Sequence, residues 1–353
     1  MVQSAPMKNW IRKYWKFLLG LVISAVFVYS AARKLEWTDF FLAVRSANYW
    51  WLIPGVGVYM IGLWVRAWRW HYLLRPVKPI STSVMFPIVT IGYMGNNVYP
   101  ARAGEVLRAL ILKRRENVPV SASLATVIVE RIFDGVVMLA FIFVNLGELS
   151  RLTDFSIPLA GFEIGLQDLA VGGSIAFFGA LVVFILAAMF PQVTERLLAW
   201  FVDHFLPEKL RPKVMGIAIR FLSGLEALHS PLEALMVFLT SVVIWLLETG
   251  KYWFVMHAFG FNVSFFALML MNGVVNLATT LPGAPGYVGT FDAPGIAVLA
   301  AYGVDVNVAA GYTVVLHIAL WAVPTLLGAY YLTREGIKWS DNLRTETDLK
   351  EPV

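Results

Sequence analysis

Four clusters of polar residues interrupt otherwise apolar stretches of this sequence, and each has a spacing that permits specific chemistry. The first holds Asn96, Asn97, Pro100, Arg102, Gly104, Glu105 and Arg108. Pro100 has no backbone N–H to donate, so a helix cannot run regularly through this point. A new helix can start near Ala103, with its first N–H groups open to an anion. Glu105 and Arg108 stand three apart, share a helix face and can pair. Arg102 then remains for a phosphate. The second cluster holds Glu130, Arg131 and Asp134, within the apolar run from Ser121 to Asn145. Glu130 and Asp134 share one helix face, and Arg131 points about 100° away. Arg102 or Arg108 is the natural partner for these carboxylates. An ion-pair knot that only ties helices together is the competing reading. The third cluster is Glu248 with Lys251, again three apart and able to pair. The fourth holds Asn272, Asn276, Thr279, Thr280, Pro282, Pro285, Gly286, Gly289 and Asp292. Its glycines permit backbone shapes and close approach denied to other residues, and Asp292 is its only carboxylate. A helix-packing corner of small residues is the alternative there.

Other chemistries find no support. The chain has no cysteine, which excludes disulfides and thiolate catalysis. Its histidines (His71, His204, His229, His257 and His317) are scattered, and no pair has metal-ligand spacing, so neither a metal nor a cofactor is expected. No nucleophile elbow, P-loop or zinc-protease motif occurs. Arg66, Arg69 and His71, set among Trp64, Trp68 and Trp70, read as an interfacial belt with snorkelling cations.

The elements that must position these clusters are membrane helices. Of 353 residues, 59% are hydrophobic and 14% charged, against roughly 25% charged in a soluble domain. The apolar runs approach the ~20 residues that cross a bilayer as helix. They are continuous rather than alternating, which selects helices over a barrel. Six runs have the length of full spans: 15–32, 50–72, 120–147, 169–190, 232–259 and 308–333. Two further stretches, 80–116 and 263–303, are apolar but broken. The segment 191–231 reads as helix at the membrane surface. The net charge of +5 sits between apolar runs, as a topology signal and not as a nucleic-acid surface. Counting basic loops places both termini and 191–231 in the cytoplasm and 148–168 outside. Each broken stretch then enters and leaves on one face, as a re-entrant hairpin does. The expected fold is an all-α polytopic membrane protein with six full spans and two opposed re-entrant hairpins in an inverted repeat. A count of eight spans is the alternative. One transmembrane domain, 1–340, is expected, with a tail at 341–353. The basic N-terminus reads as an uncleaved first span in the cell membrane.

Three of these motifs, taken in order, resemble a family. Asn97, Pro100, Gly104, Glu105 and Arg108, then Glu130, Arg131 and Asp134, then Pro282, Pro285, Gly286 and Gly289 are similar to the flippase-like membrane family best known as the transmembrane portion of lysylphosphatidylglycerol synthases. The likeness covers roughly 10–335. It implies lipid translocation between leaflets; with no nucleophile or metal set in the sequence, an enzyme is not expected. Two departures stand out. Asp292 occupies a position where members often carry Glu, and no soluble aminoacyl-transferase domain follows, so lipid lysylation is not expected. The implied function is a flippase or scramblase for an anionic phospholipid or polyisoprenyl-phosphate lipid, working through a polar cavity between the hairpins. Arg102, Arg108 and Arg131 would compensate phosphate; Glu105, Glu130, Asp134 and Asp292 would hold the arginines or carry a coupling proton. An accessory subunit or a headgroup-modifying enzyme is the alternative. The partners expected are membrane lipids, not nucleic acid, with a second copy or a lipid-synthesis enzyme left open.

Overall fold

The structure, a computed structural model, describes residues 5–99, 102–144, 156–159, 162–165, 231–281 and 283–334, and within 171–219 the stretch 190–208 with scattered neighbours. Pro100, Pro282, most of the proposed span 169–190 and the tail 341–353 lie outside the described residues.

Helices make up nearly all of it. In chain order they are α1 (Ala5–Ala32), α2 (Trp37–Ser46), α3 (Leu52–Leu74), α4 (Thr82–Val98), α5 (Gly104–Glu116), α6 (Val120–Val144), α7 (Pro191–Phe205), α8 (Pro231–Ala258), α9 (Phe265–Ala278), α10 (Asp292–Ala301) and α11 (Val306–Arg334). Among the described residues, three helices are long and apolar enough to cross a bilayer: Tyr49–Leu74, Leu232–Ala258 and Val306–Arg334. They match three of the expected spans. The first expected span lies within α1, and Leu18–Ala32 meets α2 at a 90° bend. With its 25 residues, α6 has the length of a span at about 1.5 Å per residue. It carries Glu130, Arg131 and Asp134, which composition alone penalises. The all-α expectation needs one local amendment. Between α6 and α7, Ser156–Leu159 and Phe162–Gly165 form a two-stranded antiparallel hairpin with Leu159 opposite Phe162.

Lipid-facing and core-facing positions separate by helical periodicity. On α8, Leu232, Leu235, Leu239, Val243 and Leu246 are exposed, an apolar stripe that suits hydrocarbon and not water. On α7, Val193, Leu197, Trp200 and Phe201 are exposed at helical spacing, the pattern of a helix lying in the interface.

Both broken stretches take the expected helix–break–helix form. In the first, α4 ends at Val98 and α5 begins at Gly104. Arg102 between them adopts a left-handed conformation with φ 54°. In the second, α9 ends at Ala278, a short 3-10 turn covers Pro285–Tyr287, and α10 begins at Asp292. Gly286 and Gly289 have φ of 73° and 82°, a region that costs residues with a Cβ.

By contacts the chain divides into two compact units. The first comprises 1–59, 93–104 and 248–329; the second comprises 60–92, 105–247 and 330–353. The core of the first gathers Tyr252, Met256, Leu268, Met271, Phe291 and Tyr312. The break is clamped to α1 within this unit: Ala284 donates its N–H to Ser24 Oγ at 2.8 Å, and α1 packs on α10. The core of the second gathers Leu63, Trp70, Leu73, Met85, Ile88 and Leu112.

A Cβ added at Gly289 would stand 2.7 Å from the Ser24 carbonyl oxygen, whereas Gly260, also left-handed, has open space around it. Gly289→Ala is therefore expected to suffer both backbone strain and a clash, and Gly260→Ala strain alone, at roughly 1–3 kcal/mol for the strained backbone. Thermal unfolding in detergent should rank Gly289→Ala well below Gly260→Ala. Equal losses would mean that α1 does not hold the break closely.

Candidate functional site

In the second unit the charged residues form one connected set. Arg69 Nη1 and Nη2 donate to Asp134 at 2.5 and 3.3 Å, and Nη1 also donates to Ser241 Oγ at 2.8 Å. Trp245 Nε1 donates to the same carboxylate at 3.2 Å. Arg131 pairs with Asp134 at 3.4 Å and with Glu105 at 3.0 Å. Arg108 forms a close ion pair with Glu130, and its guanidinium lies 4.4 Å above the Trp70 ring. Trp70 is held in turn by a 2.9 Å hydrogen bond to Thr126. Arg66, one turn before Arg69, acts electrostatically on Asp134.

Burial grades across this set. Arg69, Arg108, Glu130 and Asp134 are no more than 4% exposed. The side chains of Arg131 and Glu105 are 35% and 22% exposed and form the accessible edge. Each of the four buried residues faces a charge of opposite sign, and removing one would strand the other in a low dielectric.

The pairing differs from the sequence expectation in instructive ways. Arg108 does meet Glu130. Glu105, however, pairs with Arg131 across helices and not with Arg108 along its own. Asp134 pairs with Arg69, which in the sequence reads, with Arg66, as part of an interfacial belt. Trp64 and Trp68 are indeed exposed, but Arg66, Arg69 and Trp70 are buried. The signal was available in the spacing: Arg66, Arg69, Trp70, Leu73 and Leu74 recur on one helix face, the face that also buries Leu63.

In the first unit the two breaks meet. Asn97 Nδ2 donates to the Trp321 carbonyl at 3.1 Å and to Thr325 Oγ1 at 2.9 Å. A Cβ on Gly286 would stand 3.2 Å from the Trp321 side chain and 3.5 Å from the Asn97 carbonyl oxygen. Pro324 lies inside α11 beside this contact and leaves a backbone carbonyl one turn earlier without its helical donor. Asn96 Oδ1 is buried with no hydrogen-bond partner. Arg102, part-buried in the turn, has no side-chain partner among the described residues. Asn276 bonds Asn272 within α9 at 2.8 Å. Pro285 opens the turn that carries Gly286.

Asp292 accepts from the Gly289 N–H at 2.8 Å and contacts His317 Nδ1 at 2.8 Å. His317 Nε2 reaches the Gly286 carbonyl at 2.7 Å. In the sequence His317 reads only as one of five scattered histidines. Its place deep inside the apolar helix α11 was the overlooked signal, because ionisable groups at such depth are functional by default. Glu248 and Lys251 form the expected close ion pair, with Lys251 4.0 Å above the Tyr59 ring. Lys251 also lines a small apolar pocket with Leu52, Val56, Val255, Leu316 and Leu320.

Asp134→Asn leaves Arg69 buried against a neutral partner, and a loss of about 3–5 kcal/mol is expected for a broken buried pair. Replacing both, as Arg69→Met with Asp134→Leu, should recover much of that loss. Thermal unfolding of the singles and the double checks this. Additive losses would show that the two side chains do not interact.

Against known proteins, the description "Lysylphosphatidylglycerol synthase TM region" matches residues 17–328. The chain is 28% identical to the glycosyltransferase AglD of Haloferax volcanii over 77% of its own length and 46% of AglD, so it spans about half of that protein. It is 25% identical to a UPF0104 membrane protein of Methanothermobacter thermautotrophicus, over 91% of this chain and 93% of that one. A second UPF0104 membrane protein of the same organism is 27% identical over 80% of this chain and 85% of its own. No solved structure matches. With its helical membrane architecture and a match across most of its length, the chain belongs to the family of the lysylphosphatidylglycerol synthase transmembrane region.

Proposed function

We propose that this protein moves a lipid with an anionic headgroup, a phospholipid or a polyisoprenyl phosphate, from one leaflet of the cell membrane to the other. The observation that carries the reading is the buried arginine–carboxylate set of Arg69, Arg108, Arg131, Glu105, Glu130 and Asp134. Intramembrane ionisable groups are costly and mark pathways. A phosphate presents the same bidentate oxygen edge to a guanidinium as a carboxylate does. A headgroup can therefore exchange with Glu105 on Arg131 at the accessible edge and be compensated by Arg108 further in, while the acyl chains stay in lipid.

The two breaks supply the second requirement. Irregular backbone at membrane depth is tolerated only where protein or a polar cavity surrounds it. Discontinuous helices whose ends face a substrate are how many transporters build their sites. In this reading 80–116 and 263–303 are re-entrant hairpins from opposite faces of an inverted repeat. Six spans place both termini and 191–231 in the cytoplasm, and 148–168 and 303–307 outside. Within the first unit, taken by itself, Asn96, Asn97 and Arg102 of the first hairpin and Gly286, Gly289 and Asp292 of the second would offer their own polar contacts to a headgroup. Lys251, with Glu248, contributes a further cation.

A second reading has one observation in its favour. The named activity of AglD is glycosyl transfer, and this chain resembles 46% of that protein. A membrane module serving an enzyme on a lipid-linked substrate would show the same likeness.

Purified protein in liposomes with fluorescent phosphatidylglycerol separates the readings. Transbilayer movement of the intact lipid is the expected result; a lipid that stays in its leaflet would overturn the proposal, and a changed headgroup would favour enzymatic chemistry. Arg131→Gln, at the exposed edge, should slow movement about tenfold, equivalent to about 1.4 kcal/mol in the barrier, with little change in thermal stability. Unaltered movement would remove Arg131 from the path. For topology, the cysteine-free chain permits clean labelling: Asp305→Cys should react with an impermeant thiol reagent from outside. Reaction only from inside would contradict the opposed hairpins.

A further inference from the structure

We infer that His317 and Asp292 together bind one transferable proton, and that this proton locks the glycine turn of the second break. The inference rests on the lipid-transport reading and names a coupling ion for it.

A count of hydrogens around the imidazole leads to this proton. His317 touches two acceptors: Asp292 Oδ1 at 2.8 Å through Nδ1 and the Gly286 carbonyl at 2.7 Å through Nε2. A carbonyl oxygen can only accept, so Nε2 carries a hydrogen. A second hydrogen must then lie between Nδ1 and the carboxyl, either on an imidazolium facing a carboxylate or on a carboxylic acid facing neutral imidazole. Both arrangements hold one proton more than a neutral imidazole beside a carboxylate. Both also leave the pair with no net charge, which membrane depth favours. The ring is fixed in this pose by stacking on Phe291, with centroids 4.4 Å apart.

Removing that proton leaves one N–H for two acceptors. The bond to an ionised carboxylate is the stronger of the two. The imidazole therefore keeps its hydrogen on Nδ1 for Asp292, and its Nε2 lone pair faces the Gly286 carbonyl. Two acceptors at 2.7 Å repel, so Gly286 is the group released. Gly286 abuts both Trp321 and the Asn97 carbonyl oxygen, so its release loosens the contact between the two breaks. Asp292 also holds the Gly289 N–H, which ties the other end of the turn to the same carboxylate.

Neighbouring charges do not supply this proton. Within the first unit, α9 has no titratable residue and α10 has only Asp292. From α8, Lys251 borders the pocket shared with Leu316 and Leu320 of α11 but is engaged by Glu248. Tyr252 is buried with its carbonyl accepting from the Tyr312 hydroxyl, and His257 bonds the Trp253 carbonyl. Among the remaining tyrosines nearby, Tyr287 is in the turn itself, and Tyr29 on α1 is exposed.

Two measurements test the inference. The first needs no transport: with ¹⁵N-labelled histidine and glycine in detergent, NMR should show the Gly286 and Gly289 amide signals moving with the His317 ring as pH rises. The His317→Gln variant identifies the ring signal and should abolish the glycine response. Glycine signals that stay fixed while His317 titrates, or a His317 ring that never titrates, would overturn the proposal. The second uses liposomes with a trapped pH dye. One coupled proton should let a one-unit pH gradient drive anionic lipid up to about tenfold uphill, since one pH unit is worth about 1.36 kcal/mol per proton. Asp292→Asn and His317→Gln should lose this gradient response, and Asp292→Glu should retain it. Lipid movement indifferent to the gradient in the parental chain would refute coupling and leave the transport reading standing. A pH-driven glycine response without any lipid movement would keep the proton site and refute the transport reading.

Discussion

A charge inside a bilayer has no water to fall back on, and the arrangement of this protein follows from how its charges and loose backbone groups are satisfied by one another. Asp134 alone draws on Arg69 and Trp245, from two helices distant in sequence, and on Arg131 one turn earlier on its own helix. Such a carboxylate fixes which faces of α3, α6 and α8 turn inward, because any rotation that freed it would leave a bare ion in hydrocarbon. Packing then follows: Trp70 and Leu63 are drawn into the core by the same face that carries Arg69, and Arg108 lies over that buried indole. Charge satisfaction and apolar burial act on the same helix faces and so reinforce each other.

The same constraint explains the breaks. A helix interrupted in lipid exposes N–H and C=O groups that must find partners. Here side chains supply them: Ser24 accepts from Ala284, Asp292 accepts from Gly289, and His317 meets the Gly286 carbonyl. Each of these is a polar residue inside an apolar helix or turn. They hold the irregular backbone by side-chain hydrogen bonds. Because the partners are few and specific, changing one of them acts on the turn as a whole.

Much of this was legible in the residues. The helical class followed from continuous apolar runs, and the helix–break–helix form of both interrupted stretches followed from Pro100 and from the glycines around Pro285. The pair Glu248 with Lys251 followed from spacing and charge, and Arg108 was one of two arginines expected to meet Glu130 or Asp134. Partner choice across helices did not. Glu105 and Arg108 can pair along one helix, yet each finds a better partner on α6, because tertiary packing decides which neighbour comes within reach. Arg66 and Arg69 looked like interfacial cations because tryptophans surround them in sequence. The helix splits that group: Trp64 and Trp68 point outward, while the arginines and Trp70 point inward. His317 was obscure for a different reason. One histidine carries no motif, and its meaning depends on a carboxylate and a carbonyl far away in the chain.

The central claim is that the buried arginine set receives an anionic headgroup. Photocrosslinking tests it most directly, using the intact protein in bilayers and two lipids that differ only in headgroup charge, each carrying the photoreactive group near its phosphate. The account predicts adducts on the peptides containing Glu105–Arg108 and Arg131 for the anionic lipid, competed by unlabelled anionic lipid and weak for the zwitterionic one. Adducts confined to exposed residues such as Leu239 and Leu326, with no preference for headgroup charge, would contradict it.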